Sequence, residues 1–175
     1  RLLDRAVGLA NPEARLIPAP PRFGTEFDRL FARVAPGHEI ICVRDAAFLQ
    51  WRYHRAPRRR QQPLELRTGR ALRGLVVLMR EGPTLLVVDL LCANTAREAR
   101  AALRAVLRHG RDQGCETVEL HLNSTPTVLR ALAGLGFVPR ASRGFQVAAA
   151  VDDSQRAVLW DRTAWHLTEG DQDVD

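Results

Sequence analysis

Three successive patterns of hydrophobic residues follow one another between residues 84 and 123, and each pattern predicts one element. Leu85–Leu91 is an almost continuous apolar run interrupted by Asp89, which is typical of a central strand buried on both faces. Residues 95–109 place apolar side chains at helical spacing, and residues 117–123 alternate apolar with polar side chains. Strand, helix and strand in this order predict a parallel βαβ unit.

The rest of the chain predicts shorter elements around this unit. Two helices precede it, and Asp45 is a suitable N-cap for the second. Gly and Pro clusters separate the remaining strands. The predicted helices cover 26–34, 46–53 and 126–133, and the predicted strands cover 39–43, 64–67, 71–80, a segment from 137 returning at 145–151, and one short segment within 158–175.

Proline content and acidic residues set the expected boundaries of a single domain. Four of the ten prolines lie in residues 1–25, which we interpret as a linker, because proline lacks an amide donor and disfavours helix at the preceding residue. Residues 26–167 then form one domain, and residues 168–175 an acidic tail. A length of 175 residues with 46% hydrophobic residues suits one substantial core.

Composition adds little about function. All 26 basic residues are arginine and the formal net charge is +6, which favours anionic partners without naming one. Cys42, Cys92 and Cys115 are isolated, so neither a disulfide framework nor a zinc site is indicated, and no metal site is expected. The longest apolar run is too short to span a bilayer, so we expect no membrane span and a cytoplasmic location.

Asp89 is the first candidate for chemistry, because an unpaired carboxylate inside an apolar strand is costly. Parallel pairing of the two strands of the βαβ unit would bring it near His121 or Glu119, and a His–carboxylate pair could accept a proton from an amine. The alternative is a buried hydrogen-bonded cluster that fixes strand register. Both interpretations remain open on the sequence.

A second candidate surface lies at residues 51–60, where aromatic residues alternate with arginines. Such a mixture is typical of nucleic-acid surfaces. A solvated arginine-rich loop explains it as well, and we expect no nucleic-acid partner.

The order of elements and several residues after residue 84 resemble the cofactor-binding half of the GNAT N-acetyltransferase superfamily. The residues that carry this resemblance are Asn123, Leu129, Ala131, Leu135, Gly136 and Phe137. The likeness covers roughly residues 26–167. Residues 165–168 followed by Gly170 and Asp171 are also similar to the end of a bacterial subgroup with two GNAT-like halves, which implies an upstream GNAT-like domain.

The resemblance implies a mixed α/β fold: a mostly antiparallel sheet, a splayed parallel strand pair and helices on both faces. In that superfamily acyl-CoA lies between the splayed strands, and an amine attacks its thioester. The implied activity is acyl transfer from acetyl-CoA or another acyl-CoA to a small-molecule or glycan-linked amine. The residues implied to hold the cofactor are Leu91, Cys92, Arg97, Arg100 and Asn123.

Two features of the sequence depart from the superfamily's pattern. Residues 94–100, where a glycine-containing phosphate loop is expected, contain no glycine, and Thr95 with Glu98 instead forms a predicted capping box. The superfamily's tyrosine, which protonates the leaving thiolate, is replaced by Leu132. The alternative function is therefore a non-catalytic GNAT-like half that supports an upstream domain or binds a partner.

Overall fold

A computed structural model describes residues 14–55, 60–140 and 153–171 of the chain. Its main feature is a five-stranded sheet in the order β1-β3-β4-β5-β6. All neighbouring pairs in this sheet are antiparallel except β5 and β6, which are parallel. The strands are β1 (Ala14–Pro18), β3 (Gln62–Thr68), β4 (Ala71–Glu81), β5 (Thr84–Cys92) and β6 (Thr117–Leu120).

A smaller three-stranded sheet brings distant parts of the chain together. Strand β8 (Trp165–Thr168) lies between β2 (Ile40–Ile41), to which it is parallel, and β7 (Leu122–Asn123), to which it is antiparallel. The C-terminal strand therefore connects the segment before the second helix with the end of the βαβ unit.

Helices cover both faces of the main sheet. On one face, α1 (Thr25–Val34) and α2 (Ala46–Gln50) pack with the side chains of Leu75, Val77 and Val88. On the other face, α3 (Ala96–Asp112) and α4 (Pro126–Ala133) pack with the opposite side chains of the same strands. Because successive side chains of β5 point to opposite faces and helices cover both faces, β5 is apolar on both. The predicted fold class is confirmed.

Several boundaries differ from the sequence prediction. Strand β1 lies within the predicted linker 1–25 and pairs with β3 from Ala14 to Pro18, so residues 14–18 belong to the sheet. The predicted tail from residue 168 is likewise part of the folded domain as far as residue 171, because Thr168 and Gly170 are buried. Amphipathic spacing did not predict α5 (Asp153–Trp160), and the predicted strand 145–151 lies outside the described residues.

Helix ends follow local capping chemistry. The Asp45 side chain accepts a hydrogen bond from Phe48 N at 2.7 Å and so begins α2 as predicted. This helix ends at Gln50, and the chain continues as one π-helical turn from Trp51 to Arg55. Over the described ranges, we find no helix with the length and apolar character needed to cross a membrane.

Candidate functional site

The parallel strands β5 and β6 diverge halfway along their length. Their register runs from Thr84–Thr117 to Val87–Leu120 and then stops. At the same level, the pairing of β5 with β4 shifts by one residue, which leaves Val88 as a bulge. A bulge bends its strand and ends regular pairing. The C-terminal half of β5 therefore turns away from β6 and opens a split, here called the strand split, between Val88–Cys92 and the chain after Leu120.

Asp89 lies beside this split in a buried polar cluster and is only 1% exposed. Its carboxylate accepts hydrogen bonds from Arg44 Nε at 3.0 Å, Tyr53 Oη at 2.7 Å and Thr168 Oγ1 at 3.0 Å. Leu90 N donates a further bond at 2.8 Å. Burial alone would raise the pKa of Asp89, but Arg44 and the hydroxyl donors hold that pKa below its ordinary value. Asp89 is therefore an ionised carboxylate with a buried cation and two hydroxyl donors around it.

Arg44 joins the cluster to the C-terminal segment and is completely buried. Its Nη1 donates to Cys42 O at 3.0 Å, and its Nη2 donates to Asp171 Oδ2 at 2.6 Å and to Thr168 Oγ1 at 3.1 Å. Burial opposes the charge, yet the two aspartates raise the pKa of Arg44 above its ordinary value. One guanidinium thus holds β2, β5 and β8 in fixed positions.

A second group of polar side chains bridges the strand split. His166 Nε2 donates to Leu90 O at 2.9 Å, since a carbonyl can only accept. His166 Nδ1 is then the acceptor for the Ser124 hydroxyl, 2.8 Å away. Burial lowers the pKa of His166, so the ring is neutral. His166 therefore links β8, the free edge of β5 and the loop before α4.

His38 stacks on this bridge, with its ring centroid 4.6 Å from that of His166. Both of its ring nitrogens are buried and neither has a hydrogen-bond partner among the described residues. Burial, followed by the neighbouring His166 and Arg44, lowers the pKa of His38 from 6.5 to about 4. Two neutral imidazoles thus lie in contact beside the strand split, with their ring planes tilted by 40°.

The predicted pairing of Asp89 with His121 or Glu119 is wrong. The partners of Asp89 are Arg44, Tyr53 and Thr168, because the two strands separate before Asp89 is reached. His121 directly follows the last paired residue of β6, and its side chain is 59% exposed. Its Nδ1 lies 3.0 Å from Glu169 Oε2. Glu119 is exposed on β6. The carboxylate beside His121 is that of Glu169.

The residues predicted to hold a cofactor surround the far end of β5. The side chains of Leu91 and Cys92 are buried, so only their backbone could face the strand split. Arg97 and Arg100 are exposed on the first turns of α3. Asn123 is half-buried in β7 and pairs with Leu167 across the small sheet. These residues lie on elements that border the opening.

The predicted capping box forms only in part. Thr95 Oγ1 accepts from Glu98 N at 3.3 Å, as expected for an N-cap. The Glu98 carboxylate, however, binds Arg73 of β4 instead of an amide of the helix terminus. The Glu98 carboxylate is therefore not the acceptor for the first amides of α3, those of Ala96 and Arg97. Asn94 ties the preceding loop to Gly37 O and Thr125 Oγ1, both at 2.6 Å.

Sequence reasoning identified Asp89 but missed most of its surroundings. Arg44, Ser124, His166 and Thr168 come from segments up to 124 residues apart, and nothing in local spacing reports such contacts. One partner could have been predicted from the sequence. A carboxylate in an apolar strand requires a buried cation, and Arg44, which directly precedes the capping Asp45, was a candidate for it. The alternative of a hydrogen-bonded cluster that fixes strand register describes Asp89 better than the predicted proton-transfer pair.

Comparison with known proteins yields two solved structures. Wild-type TTHA1254 from Thermus thermophilus matches with 21% identity and a TM-score of 0.49, over 78% of this chain and 98% of that one. A point mutant of TTHA1254 matches with 20% identity and a TM-score of 0.46 over the same shares. No protein-family model and no curated protein matches the chain.

Proposed function

We propose that this chain is a GNAT-type N-acyltransferase that transfers an acyl group from acyl-CoA to an amine. The observation that carries the proposal is the strand split: two parallel strands pair for four residues and separate at a bulge. This is the feature in which the GNAT superfamily places its acyl donor, and bulges recur beside active sites.

The free edge of β5 offers backbone groups to an extended donor arm. Past Val87 it has lost β6 as a partner, and Leu90 O accepts its hydrogen bond from the side chain of His166. Unpaired strand edges bind extended ligands through main-chain hydrogen bonds. An acyl donor lying along β5 would compete with His166 for Leu90 O.

The beginning of α3 supplies positive potential where the donor's phosphates would lie. The helix starts four residues after the end of β5, and Arg97 and Arg100 add two exposed guanidinium groups to its leading amides. Glu98 would repel phosphate, but its ion pair with Arg73 neutralises much of that charge. Arginine and helix amides thus take the place of the missing glycine loop.

His121 is the proposed proton acceptor, with Glu169 as the carboxylate beside it. The pair lies where the strands separate, and Nδ1 of His121 is 3.0 Å from Glu169 Oε2 without hydrogen-bond geometry, so Glu169 would act through its negative charge while Nε2 receives the proton of an incoming amine. The amine nitrogen attacks the thioester carbonyl, the C–S bond breaks, and the amine proton passes to His121. Water protonates the thiolate, since Leu132 offers no acid.

The second candidate function is a non-catalytic GNAT-like half. The observation that favours it is the bridge across the strand split, in which buried His166 occupies Leu90 O and is itself fixed by Ser124. A domain that only supports an upstream half would keep this bridge permanently closed.

Calorimetric titration with acetyl-CoA separates the two functions. The acyltransferase predicts saturable heat with a dissociation constant between about 1 μM and 1 mM, the usual range for enzyme substrates. Arg97→Gln with Arg100→Gln should weaken binding, whereas Arg22→Gln with Arg29→Gln, two exposed arginines away from the split, should not. Absence of heat at millimolar acetyl-CoA would leave only the supporting role.

A further inference from the structure

We infer that the His166 side chain is a gate on the strand split, which turns from Leu90 O to a new hydrogen bond with His38 when an acyl donor enters. This inference rests on the proposed acyltransferase function and concerns how its donor site opens. Two observations carry it. Leu90 O at the free edge of β5 is occupied by His166, and both buried ring nitrogens of His38 lack a partner among the described residues.

The closed gate uses both nitrogens of the His166 ring. Nε2 donates to Leu90 O at 2.9 Å, and Nδ1 accepts from the Ser124 hydroxyl at 2.8 Å. His166 is 3% exposed and Ser124 is completely buried, so the ring fills the space beside this carbonyl. Extended ligands bind a free strand edge through its main-chain groups. A donor that pairs with β5 at Leu90 must therefore take the place of the ring.

His38 is the partner available to the displaced ring. A buried polar group without a hydrogen bond carries an uncompensated desolvation cost, and His38 has two such atoms among the described residues. The centroids of the His38 and His166 rings are 4.6 Å apart. Rings at this separation need only turn edge to edge to bring two nitrogens within hydrogen-bond distance. His38 thus gains in the open position the bond that it lacks in the closed one.

Asn94 holds the backbone on both sides of the gate. Its Nδ2 donates to Gly37 O, and its Oδ1 accepts from Thr125 Oγ1, both at 2.6 Å. Gly37 directly precedes His38, and Thr125 directly follows Ser124. The two groups between which the His166 ring would move are therefore fixed with respect to each other.

Strand β8 is anchored next to the gate by the buried polar cluster. Thr168, two residues after His166, donates from Oγ1 to Asp89 at 3.0 Å, and Asp171 accepts from Arg44 at 2.6 Å. These bonds hold the backbone of β8 without involving the His166 ring. Opening the gate therefore requires a change of one side-chain rotamer and no movement of the strand.

The donor supplies the free energy that opens the gate. In the closed position Leu90 O and the Ser124 hydroxyl are paired and His38 is not. In the open position His38 is paired, and Leu90 O is left without a partner unless a donor provides one. A ligand shifts such an equilibrium only by binding one state better than the other. Pairing of the donor with Leu90 O is the interaction that favours the open state.

The test is calorimetric titration of the whole chain with acetyl-CoA in two variants that bias the gate oppositely. Ser124→Ala removes a bond of the closed state and should tighten binding about two- to tenfold, the effect of one hydrogen bond. His38→Phe keeps an aromatic ring but removes the partner of the open state, and should weaken binding by about the same factor. Thr117→Ala is the matched control, because its hydroxyl also makes a 2.8 Å bond, to Thr84, but in the paired half of β5 and β6. Its affinity should equal that of wild type.

Nitrogen-15 NMR of the histidine rings tests the movement itself. In the wild-type chain without ligand, the His166 proton should be on Nε2, and saturation with acetyl-CoA should shift the ring nitrogens of both His166 and His38. Ring signals that stay unchanged at saturation would show that the donor binds without moving His166, which overturns the gate. Circular dichroism checks that the variants fold.

The calorimetric outcomes separate the gate from the proposed function. Heat from the wild-type chain, with affinity unchanged or changed in the same direction in Ser124→Ala and His38→Phe, refutes the gate while the proposed function stands. No heat from the wild-type chain refutes donor binding, and with it the gate. Opposite changes in the two variants, with Thr117→Ala at the wild-type value, support both.

Discussion

Arg44 is the residue on which the buried polar cluster depends. It is the cation that faces both Asp89 and Asp171 at hydrogen-bond distance. Arg44→Met should therefore lower the free energy of unfolding by about 3–5 kcal/mol, because removing one partner leaves buried charge uncompensated. Urea denaturation measures this change. Arg29→Gln, an exposed site, should stay within about 0.5 kcal/mol of wild type, and an equally mild effect of Arg44→Met would contradict the role given to the cluster.

His38 should make the domain sensitive to acid. Its pKa is about 4 in the folded chain against an ordinary value of 6.5, so the unfolded chain binds more protons between these values. The stabilising contribution of the neutral ring is complete above pH 6.5 and is lost as pH falls toward 4. The midpoint of thermal unfolding should fall over this window in wild type and fall less in His38→Phe. Equal slopes in the two proteins would exclude His38 as the source.

The helices and strands that could be predicted are those set by hydrophobic spacing and capping residues within the element itself. The βαβ unit, the helix at residues 126–133 and the Asp45 cap all follow from short-range pattern. Strand β1 was not recognised because prolines surround its five residues, and only pairing with β3 makes them a strand. The splayed strand pair was expected only from the family resemblance, because the bulge at Val88 is a property of paired strands, which a single strand's sequence does not report.

The turn after β8 should tolerate no side chain at Gly170. A Cβ at this position would lie 2.6 Å from Tyr53 Oη and 3.2 Å from Asp89 Cγ. Gly170→Ala should destabilise the domain by about 1–3 kcal/mol through overpacking against the buried cluster. Gly24→Ala is the matched control, because a Cβ there meets nothing within 4 Å. Chemical denaturation of both variants tests the contact, and a Gly170→Ala protein as stable as the control would refute it.

The ion pair between Glu98 and Arg73 at the first turn of α3 allows a test of where the proposed donor's phosphates lie. Glu98 is neutralised by Arg73, so Arg73→Gln should expose the carboxylate and weaken acetyl-CoA binding. Glu98→Gln should strengthen binding, because no negative charge then faces the phosphates. Titration calorimetry should show the two variants moving affinity in opposite directions. Changes in the same direction would place the phosphates away from this helix terminus.

At the scale of the whole molecule, the cluster and the bridge tie the segment after β2 and the C-terminal strand β8 to β5. Arg44 connects β2 to β5, Thr168 connects β8 to both, and His166 spans the strand split. The sequence predicted the fold class but paired Asp89 with His121, because the partners of a buried carboxylate come from contacts across the entire chain. Architecture follows from repeated local patterns here, while the site depends on a few long-range contacts.

The central claim is that the strand split binds an acyl donor, and acetyl-CoA titration of the wild-type chain tests it most directly. The expected result is saturable heat that is reduced in Arg97→Gln with Arg100→Gln and preserved in Arg22→Gln with Arg29→Gln. No heat at millimolar acetyl-CoA, or equal heat in both double variants, would contradict donor binding at the strand split.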